Sequence, residues 1–471
     1  MRNFYVDIHC HPTLKPYGRS FGLANGGNSI NHNHKNSIWY YDPPNLFSKF
    51  LNILIGLTPF SQTNFSSLVH GKVGLIFVSL YPMEKYLFKN RLKKVIADLI
   101  SKLLTGVSQE RVNFVQNVTD YYDDLKGEYE FLRQLDGQIV CIAGRKYRYI
   151  IAGSSSEVES LLNQEDSDIF TIVVLITFEG GHSFGCGIDP QVNKCDEVKV
   201  LQRVQDVKNW PHRPLYITFA HHFYNELCGH ARSFNGIAGK ICDQSYMLGA
   251  GISELGHKVL RELLDNRKGK RIVVDVKHMS PQSRREYFHL LETEYETENI
   301  PIVVSHGAVC GNERNKHLFY NDEINFYDDE LVAIAKSRGL FGVQFDGRRI
   351  ASKSEIDANS RRISRKENLY NCARLVWRQI EHIAEVLDGH GLFAWDVQCI
   401  GSDYDGVVDP IKGYWTAEEF RYMEAHLLMH VYNYAADGMR SLKNEFNKTR
   451  PEEIVNRFMS LNAQEFIMRN Y

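Results

Sequence analysis

Residues 271–307, RIVVDVKHMSPQSRREYFHLLETEYETENIPIVVSHG, give the clearest indication of the fold class. An apolar run that ends at a histidine is followed by an amphipathic pattern over 281–294, and then by a second apolar run that also ends at a histidine. Two such runs separated by a helix pattern are typical of a βαβ unit, in which the two strands are parallel. This segment therefore predicts a parallel sheet covered by helices.

The same alternation continues along the chain. Short apolar runs predict strands at Phe4–His9, Val73–Leu80, Phe170–Phe178, Leu215–Ala220, Arg271–Val276, Ile302–Ser305, Leu340–Phe345 and Val397–Gly401. Helix patterns lie between the later runs, over 253–266, 281–294, 328–338 and 367–388, and two more close the chain at 417–436 and 451–468. Eight parallel strands with interposed helices are the count of a TIM-type (β/α)8 barrel, and we predict this α/β fold.

Two long insertions interrupt the N-terminal half of the predicted barrel, at approximately 13–72 and 84–160. The first is polar and then apolar near 46–58, and it is expected to be a long loop excursion with one helix. The second is expected to be helical over 84–135 and to form a β-hairpin over 138–152. No internal repeat and no linker rich in Pro or Gly divides the chain, so one elaborated domain over 1–471 is expected.

Composition excludes several classes of protein. The 55 Lys and Arg residues against 57 Asp and Glu residues give a net charge of −2, and no basic run suggests a nucleic-acid or membrane partner. No apolar stretch approaches the ~18–20 residues that span a bilayer. Because the N-terminus MRNFYVDIHCHP reaches a histidine by residue 9, we expect no secretory signal. The nine scattered cysteines contain no C-x-x-C pair. We expect free thiols and a cytoplasmic location.

The first predicted strand ends in VDIHCHP, which carries a candidate metal site. Strand alternation is expected to place Asp7, His9 and His11 on one side and Ile8 and Cys10 on the other. Two imidazoles on one side of a strand end can bind one cation together. A single H-x-H pattern is weak evidence for a metal site, since two surface histidines can have this spacing by chance.

What strengthens this interpretation is that metal-binding residue types recur at the ends of other predicted strands. These residues are Glu179 in TFEGGHS, His221 in ITFAHH, His278 in VVDVKHMS, His306 in IVVSHG and Asp403 in CIGSDYDG. The carboxyl ends of barrel strands meet at one mouth, so these side chains are expected to converge. Individually, some of them could instead be helix caps or buried structural histidines.

The chemistry of this set points to a divalent metal. Histidines and carboxylates without a thiolate suit Zn²⁺ or a similar borderline ion. With a bridging carboxylate, two ions about 3.5–4 Å apart could share one hydroxide as a nucleophile. By alternation, the apolar residues two and four positions before each histidine (Val274 and Val276, Ile302 and Val304) are expected to fill the barrel interior.

In this order, the segments VDIHCH, VLITFEGGHS, LYITFAHH, VVDVKHMS, PIVVSHGAV with the later ERN, and IGSDYDGV resemble the membrane (renal) dipeptidase family of metallopeptidases, in the amidohydrolase superfamily. The resemblance is nearly continuous over about 170–410, whereas 13–160 matches little. It implies a (β/α)8 barrel with a binuclear zinc centre that hydrolyses dipeptides.

The resemblance also implies roles for individual residues. His9 and His11 would hold the first ion, His278 and His306 the second, and Glu179 would bridge both. Asp403 would orient the bridging hydroxide and pass its proton to the leaving amine. His221 would polarise the scissile carbonyl and stabilise the oxyanion, and Arg314 would bind the substrate's carboxylate.

One position departs from the family pattern, because the first strand of the family ends in His-x-Asp whereas this chain has His11 at the second ligand position. The change removes one negative charge from the first site, and ligand charge sets how strongly a bound water is activated. Whether one or two ions bind therefore stays open at this point.

Three further residues near the predicted strand ends are alternative candidates for this site. Lys277 could suggest the carbamylated lysine that bridges metals in other amidohydrolases, but alternation places it on the other side of its strand and a bridging carboxylate is already present. His222 is expected to point away from its neighbour, behind the barrel. Asp405 competes with Asp403 for the catalytic role, and the family pattern favours Asp403.

The sequence therefore predicts a metal-dependent hydrolase that cleaves the amide bond of dipeptides with a bridging metal-bound hydroxide. Two divalent ions are expected, with Zn²⁺ favoured although manganese and iron tolerate such ligands. A second hypothesis keeps the binuclear site but assigns another small amide, cyclic amide or lactone. A third is a catalytically silent barrel used for binding. For assembly, a homodimer is left open.

Overall fold

Eight parallel strands close into a barrel in the computed structural model, which describes residues 4–23, 26–55, 58–92, 98, 105–164, 168–360 and 365–471. The strands are β1 (Tyr5–Cys10), β2 (Val73–Leu80), β3 (Val140–Ile142), β4 (Arg145–Ile151), β5 (Ile169–Glu179), β6 (Tyr216–Thr218), β7 (Val273–Asp275), β8 (Val303–Gly307), β9 (Leu340–Val343) and β10 (Gln398–Ile400). The barrel runs β2-β1-β10-β9-β8-β7-β6-β5 and closes through parallel pairing of β5 with β2. The predicted (β/α)8 architecture and all eight predicted strands are confirmed.

The remaining two strands form the predicted hairpin. β3 pairs antiparallel with β4, and β4 pairs parallel with residues 169–174 of β5. β5 is long enough for its upper end, residues 178–179, to pair with β6. The hairpin thus extends the sheet beside the lower half of β5 without entering the barrel.

Helices cover the outside of the barrel. They are α1 (Leu14–Ser20), α2 (Leu46–Ile55), α3 (Phe65–His70), α4 (Lys85–Phe88), α5 (Gln109–Gln116), α6 (Tyr121–Arg133), α7 (Ser155–Leu162), α8 (Glu197–Lys208), α9 (Gly236–Ile241), α10 (Glu254–Leu264), α11 (Pro281–Glu294), α12 (Asp328–Lys336), α13 (Gly347–Ile350), α14 (Lys353–Ser360), α15 (Arg365–Gly389), α16 (Phe420–Ala436), α17 (Pro451–Asn456) and α18 (Asn462–Asn470). None of the helices in the described ranges combines the length and apolar character that crossing a bilayer requires.

The helices predicted in the C-terminal half are confirmed. Their starts are specified locally: the Ser280 hydroxyl accepts from the backbone N–H of Ser283, and Pro281 occupies the first turn of α11, as expected at a helix N-terminus. The expectation of one helix in the first insertion was wrong, because α1 and α3 lie there as well as α2. These two helices are only seven and six residues long, too short to give a helical period in the sequence. Most of the predicted helix KNRLKKVIADLISKLL (89–104) lies outside the described residues.

The barrel interior is filled from all eight barrel strands. Its apolar cluster comprises Val6, Ile8, Leu75, Phe77, Val173, Leu175, Tyr216, Val273, Val303, Leu340 and Cys399. Ala463, Phe466 and Ile467 of α18 belong to the same cluster. Since α18 is the last helix and contacts β1, β9 and β10, it closes the end of the barrel opposite the strand C-termini.

The expected filling of the interior by Val274, Val276, Ile302 and Val304 was wrong. All four belong to the outer cluster, which packs the sheet against helix residues such as Val259 and Tyr287. His278 nevertheless reaches the mouth, because its φ of +66° turns the chain out of the strand alternation. The pairing of β8 with β9 shifts register between Val304 and Gly307, which does the same for His306.

A similar irregularity corrects the expectation for β1. Ile8 lies in the interior cluster whereas Cys10 lies in the outer one, so the two do not share a side. The register of β1 against β2 shifts between Asp7 and Cys10. This shift is what lets the following imidazoles reach the mouth although Ile8 already faces inward.

Candidate metal centre

Buried carboxylates tie together the strand ends that carry the imidazoles. Asp7 accepts hydrogen bonds from the backbone N–H of His9 (3.2 Å) and of Ser402 (3.0 Å), which joins the end of β1 to that of β10. Asp275 accepts from the backbone N–H of Lys277 (3.0 Å) and of Ser305 (2.9 Å), which joins β7 to β8. Because backbone groups satisfy these carboxylates, the strand ends are held in a fixed relative position.

Glu179, at the end of β5, lies at the centre of a group of imidazoles. Its Oε2 is 3.0 Å from Nε2 of His11, and its Oε1 is 3.4 Å from Nε2 of His9, 3.4 Å from Nε2 of His221, 3.7 Å from Nε2 of His306 and 3.8 Å from Nε2 of His278. All these side chains are buried. The structure thus brings together five histidines from four distant segments of the chain around one carboxylate.

Asp403 completes the group from the end of β10. Its Oδ1 is 3.5 Å from Nε2 of His11, and its Oδ2 is 3.9 Å from Nε2 of His306. Gln344 donates from Nε2 to the same Oδ2 at 2.8 Å. Asp403 has a φ of +60°, so this carboxylate, like His278, is aimed by a left-handed residue.

Asp405, the competing carboxylate, does not reach the cluster. It accepts from Nζ of Lys15 at 2.7 Å, from the Ser61 hydroxyl, and from the backbone N–H groups of Gln62 and Thr63. A carboxylate with this many donors tethers the first insertion to the end of β10. Only Asp403 of the two is available to the metal centre.

The arrangement of the histidines fits a divalent cation. His9 is fully buried, and neither of its ring nitrogens has a hydrogen-bond partner among the described residues. Nε2 of His278 lies 3.2 Å from Nε2 of His306. Buried polar atoms left without partners are costly, and a cation among them would satisfy them. Ligand atoms of His9, Glu179, His306 and Asp403 all lie within 4.8 Å of one another.

Hydrogen bonds outside the cluster orient two of these ligands. Nδ1 of His11 donates to the backbone carbonyl of Ser79 at 2.9 Å, so its Nε2 faces Glu179. The Ser305 hydroxyl lies 2.9 Å from Nδ1 of His306, and Asp275 accepts from that hydroxyl. Such partners on the second ring nitrogen are typical of metal-binding histidines.

The pKa values of the Glu179 and Asp403 carboxyl groups are shifted in opposite directions. Burial alone would raise the pKa of Glu179, but His221, His11 and His9 hold it well below its usual range. Burial and the charge of Glu179 raise the pKa of Asp403 above its usual range. One carboxylate is therefore kept ionised, as a metal ligand requires, while the other can hold a proton.

Sequence reasoning missed Glu84, which lies four residues beyond β2. Its carboxylate accepts from Nδ1 of His221 at 2.6 Å and from the backbone N–H of Phe223 at 3.1 Å. Burial would lower the pKa of His221, but Glu84 and Glu179 raise it to about 10. Glu84 belongs to no strand-end motif, and a buried acid in an insertion is recognisable only once the fold is known.

The expectation for His222 was wrong. Its ring centroid is 3.7 Å from that of His221 and 5.3 Å from that of His278, so it faces the mouth. β6 ends at Thr218, and strand alternation cannot be extended beyond it to residue 222.

Arg314 and Lys277, two further residues considered from the sequence, differ in burial. Arg314 is exposed, and in the described part of the chain no contact joins its guanidinium to the metal-binding group, so its role in substrate binding stays a prediction. Lys277 is buried, and its Nζ has no hydrogen-bond partner among the described residues. Burial, with Arg349 next in effect, lowers the pKa of Lys277 to about 7.

Comparison with known proteins identifies the family. The model of the membrane dipeptidase family, peptidase family M19, matches residues 40–437. The chain belongs to this family. It is accordingly a metallo-dipeptidase that depends on divalent metal. The match begins after His9 and His11, so it includes every predicted site residue except the H-x-H pair.

Solved structures support the fold. The dipeptidase AC, a metallopeptidase of family M19, has a TM-score of 0.53 at 14% identity, covering 99% of this chain and 98% of that one. The probable dipeptidase PvdM from Pseudomonas aeruginosa has a TM-score of 0.52 at 13% identity, covering 100% of this chain and 96% of that one. No curated protein matches the sequence.

Proposed function

We propose that this protein hydrolyses the amide bond of dipeptides at a binuclear divalent-metal centre, with Zn²⁺ as the native metal. The observation that carries the proposal is the buried Glu179 carboxylate, whose two oxygens lie 3.0–3.8 Å from imidazole nitrogens. These imidazoles lie on β1 and β8 and in the segments that directly follow β1, β6 and β7. A carboxylate within reach of histidines on both sides is what a bridging ligand requires.

The ligand roles follow the two sides of Glu179. His9 and His11 would hold one ion, His278 and His306 the other, and Glu179 both. When bound, such ions lower the pKa of a bound water and polarise a carbonyl. His11 is a neutral ligand when it binds metal. The ligands of the ion on the β1 side would therefore carry one negative charge fewer than they would with an aspartate at this position.

Asp403 would move the proton that amide hydrolysis requires. The amine leaves only if it receives a proton, and a carboxyl group whose pKa is raised can accept one and pass it on. Gln344 donates to Oδ2 of Asp403, which holds this carboxyl group in place beside the metal-binding imidazoles.

His221 would stabilise the oxyanion that develops on the scissile carbonyl. Glu84 holds Nδ1 of His221, so Nε2 is the nitrogen turned toward Glu179 and the metal-binding group. A donor fixed before the substrate arrives costs no reorganisation during the reaction. Arg314, on the exposed segment after β8, keeps its proposed role in binding the substrate's free carboxylate.

The near-neutral charge supports a small peptide as the partner rather than nucleic acid or a membrane surface, and the scattered cysteines support a cytoplasmic location.

The test combines metal analysis with substrate analysis. The purified protein is dialysed against Zn²⁺, its metal content is measured by mass spectrometry, and amino-acid release is followed for a dipeptide panel that includes D-residues at the C-terminal position. We expect two tightly bound ions per chain and turnover of at least one dipeptide. Turnover of cyclic amides or lactones without any dipeptide would support the alternative substrate class, and one ion per chain would reject the binuclear assignment.

A further inference from the structure

A second group of metal-binding side chains lies beside the carboxylate cluster. Ligand atoms of His221, His222 and His278 all lie within 4.8 Å of one another. Their ring centroids are 3.7 Å apart for His221 and His222, and 4.6 Å apart for His221 and His278. Ligands around a tetrahedral zinc ion are about 3.3 Å apart, given Zn–N distances of about 2.0–2.1 Å, so small ring rotations would close this group on one ion.

The hydrogen bonds around the three rings leave a nitrogen available on each. Nδ1 of His222 is 2.8 Å from the Ser233 hydroxyl, and Gln244 donates to that hydroxyl at 2.6 Å. Nδ1 of His221 is taken by Glu84. The Nε2 atoms of both residues are therefore free of these contacts, and a partner on Nδ1 is the arrangement that orients a ligating imidazole.

His278 is the member that the two groups share. Its Nε2 faces His306 and Glu179, while its Nδ1 is buried without a hydrogen-bond partner among the described residues. An unpartnered nitrogen at this depth is costly unless something binds it. A neutral imidazole has one lone pair, so His278 can ligate an ion in each group only as an imidazolate, whose ring proton is released to solvent when the second ion binds.

We propose that His221, His222 and His278 form an additional cation site, made only of imidazoles, whose occupation by a divalent transition-metal ion inhibits the enzyme. Imidazole ligands favour Zn²⁺, Cu²⁺ and Co²⁺ over Mg²⁺ and Ca²⁺, which prefer oxygen. Because it contains no carboxylate, this site binds its ion more weakly than the cluster around Glu179 and Asp403 does.

Inhibition follows from the identity of the ligands. An ion that binds Nε2 of His221 displaces the proton on that nitrogen to solvent. His221 can then no longer donate to the substrate's carbonyl, so ion binding and productive substrate binding exclude each other. This consequence rests on the proposed function, whereas binding of the ion does not.

The binding test uses the full chain stripped of metal by a chelator and titrated with Zn²⁺ or Co²⁺ in equilibrium dialysis. We expect one class of tightly bound ions (the tight class) and one more weakly bound ion per chain (the weaker class). His222→Gln should remove the weaker class or weaken it by at least about 10-fold, because it deletes one of three ligands, while the tight class is unchanged. Ser233→Ala removes the hydroxyl that orients His222 but deletes no ligand, and it should weaken the class by about 10-fold.

His289→Gln is the matched control, since His289 is an exposed histidine on α11, outside the barrel, and its loss should change neither class. Mg²⁺ at the same concentration should not compete for the weaker class. An unchanged isotherm in both His222→Gln and Ser233→Ala would overturn the proposal, as would loss of the weaker class in the control.

Two further measurements separate this inference from the proposed function. Glu179→Ala should lose the tight class and keep the weaker one, because the imidazole site does not include that carboxylate. With a turned-over dipeptide, excess Zn²⁺ should inhibit the wild type, and the inhibitory concentration should rise at least about 10-fold in His222→Gln. If no dipeptide is turned over but the weaker class is present and depends on His222, the proposed function fails and the additional site stands.

Discussion

The two ends of the barrel differ in what fills them. At the closed end, apolar residues from all eight barrel strands pack against Phe466 and Ile467 of α18. At the open end, the same lumen is lined by carboxylates, hydroxyls and imidazoles, many of them without a hydrogen-bond partner among the described residues. Apolar burial stabilises the closed end, whereas buried ionisable groups at the open end are costly until a ligand satisfies them. Stability and activity should therefore respond to substitutions at opposite ends.

Glu179→Ala should have the largest effect. It removes the carboxylate proposed to hold both ions, so activity should fall on the order of 10⁴-fold or more and metal content should fall with it. Metal analysis and dipeptide hydrolysis of the same preparation measure both. Unfolding by urea serves as the control, because a much less stable variant would mean that the open end also carries the fold.

Asp403→Asn should separate metal binding from turnover. The amide cannot move the proton, so kcat should fall by about 10³-fold, while the metal content stays near that of the wild type. If the metals leave together with the activity, Asp403 is a ligand rather than a proton carrier.

Phe466→Ala tests the closed end. The ring is fully buried against the barrel interior, and its removal should lower the free energy of unfolding by about 3–5 kcal/mol. Denaturant titration measures this loss, and kcat per bound metal at a temperature where the variant is folded should match the wild type. A reduced kcat would show that the two ends are coupled.

Glu84→Gln should have the smallest effect, and it depends on pH. In the metal-free protein Glu84 and Glu179 raise the pKa of His221 from 6.5 to about 10, so the pair's contribution to stability is fully present below pH 6.5 and is lost as pH rises toward 10. We expect Glu84→Gln to lower the free energy of unfolding by about 3 kcal/mol at pH 6, with a smaller difference at pH 9.5. Urea midpoints at the two pH values measure this, and a difference that grew with pH would contradict the assignment.

The sequence was sufficient for the barrel because buried parallel strands are continuous apolar runs, as in IVVDV and LYITF, and each is followed by a helix pattern. It was also sufficient to bring His9, His11, Glu179, His221, His278, His306 and Asp403 to one mouth, since barrel strands end on one face. Which way a side chain points was less predictable. Alternation assigned the wrong layer to Val274 and the wrong direction to His222, because the chain leaves regular strand geometry at the residues that matter.

Contacts made by the insertions could not be predicted at all. Glu84 acts on His221 from 137 positions away in sequence, and no periodic pattern relates the two. The exposure of Arg314 is a similar case, since the segment after β8 carries no strand or helix pattern that would fix where its side chain lies.

The positive φ angles of His278 and Asp403 have a consequence for anyone who transplants this centre into another scaffold. Copying DVKH or GSDYD onto an ideal strand would turn the imidazole or the carboxylate toward the surrounding helices, even if every ligand residue were kept. A designer would have to build the left-handed kink first, at a cost of about 1–3 kcal/mol for each such residue, and would choose a host barrel stable enough to tolerate two of them.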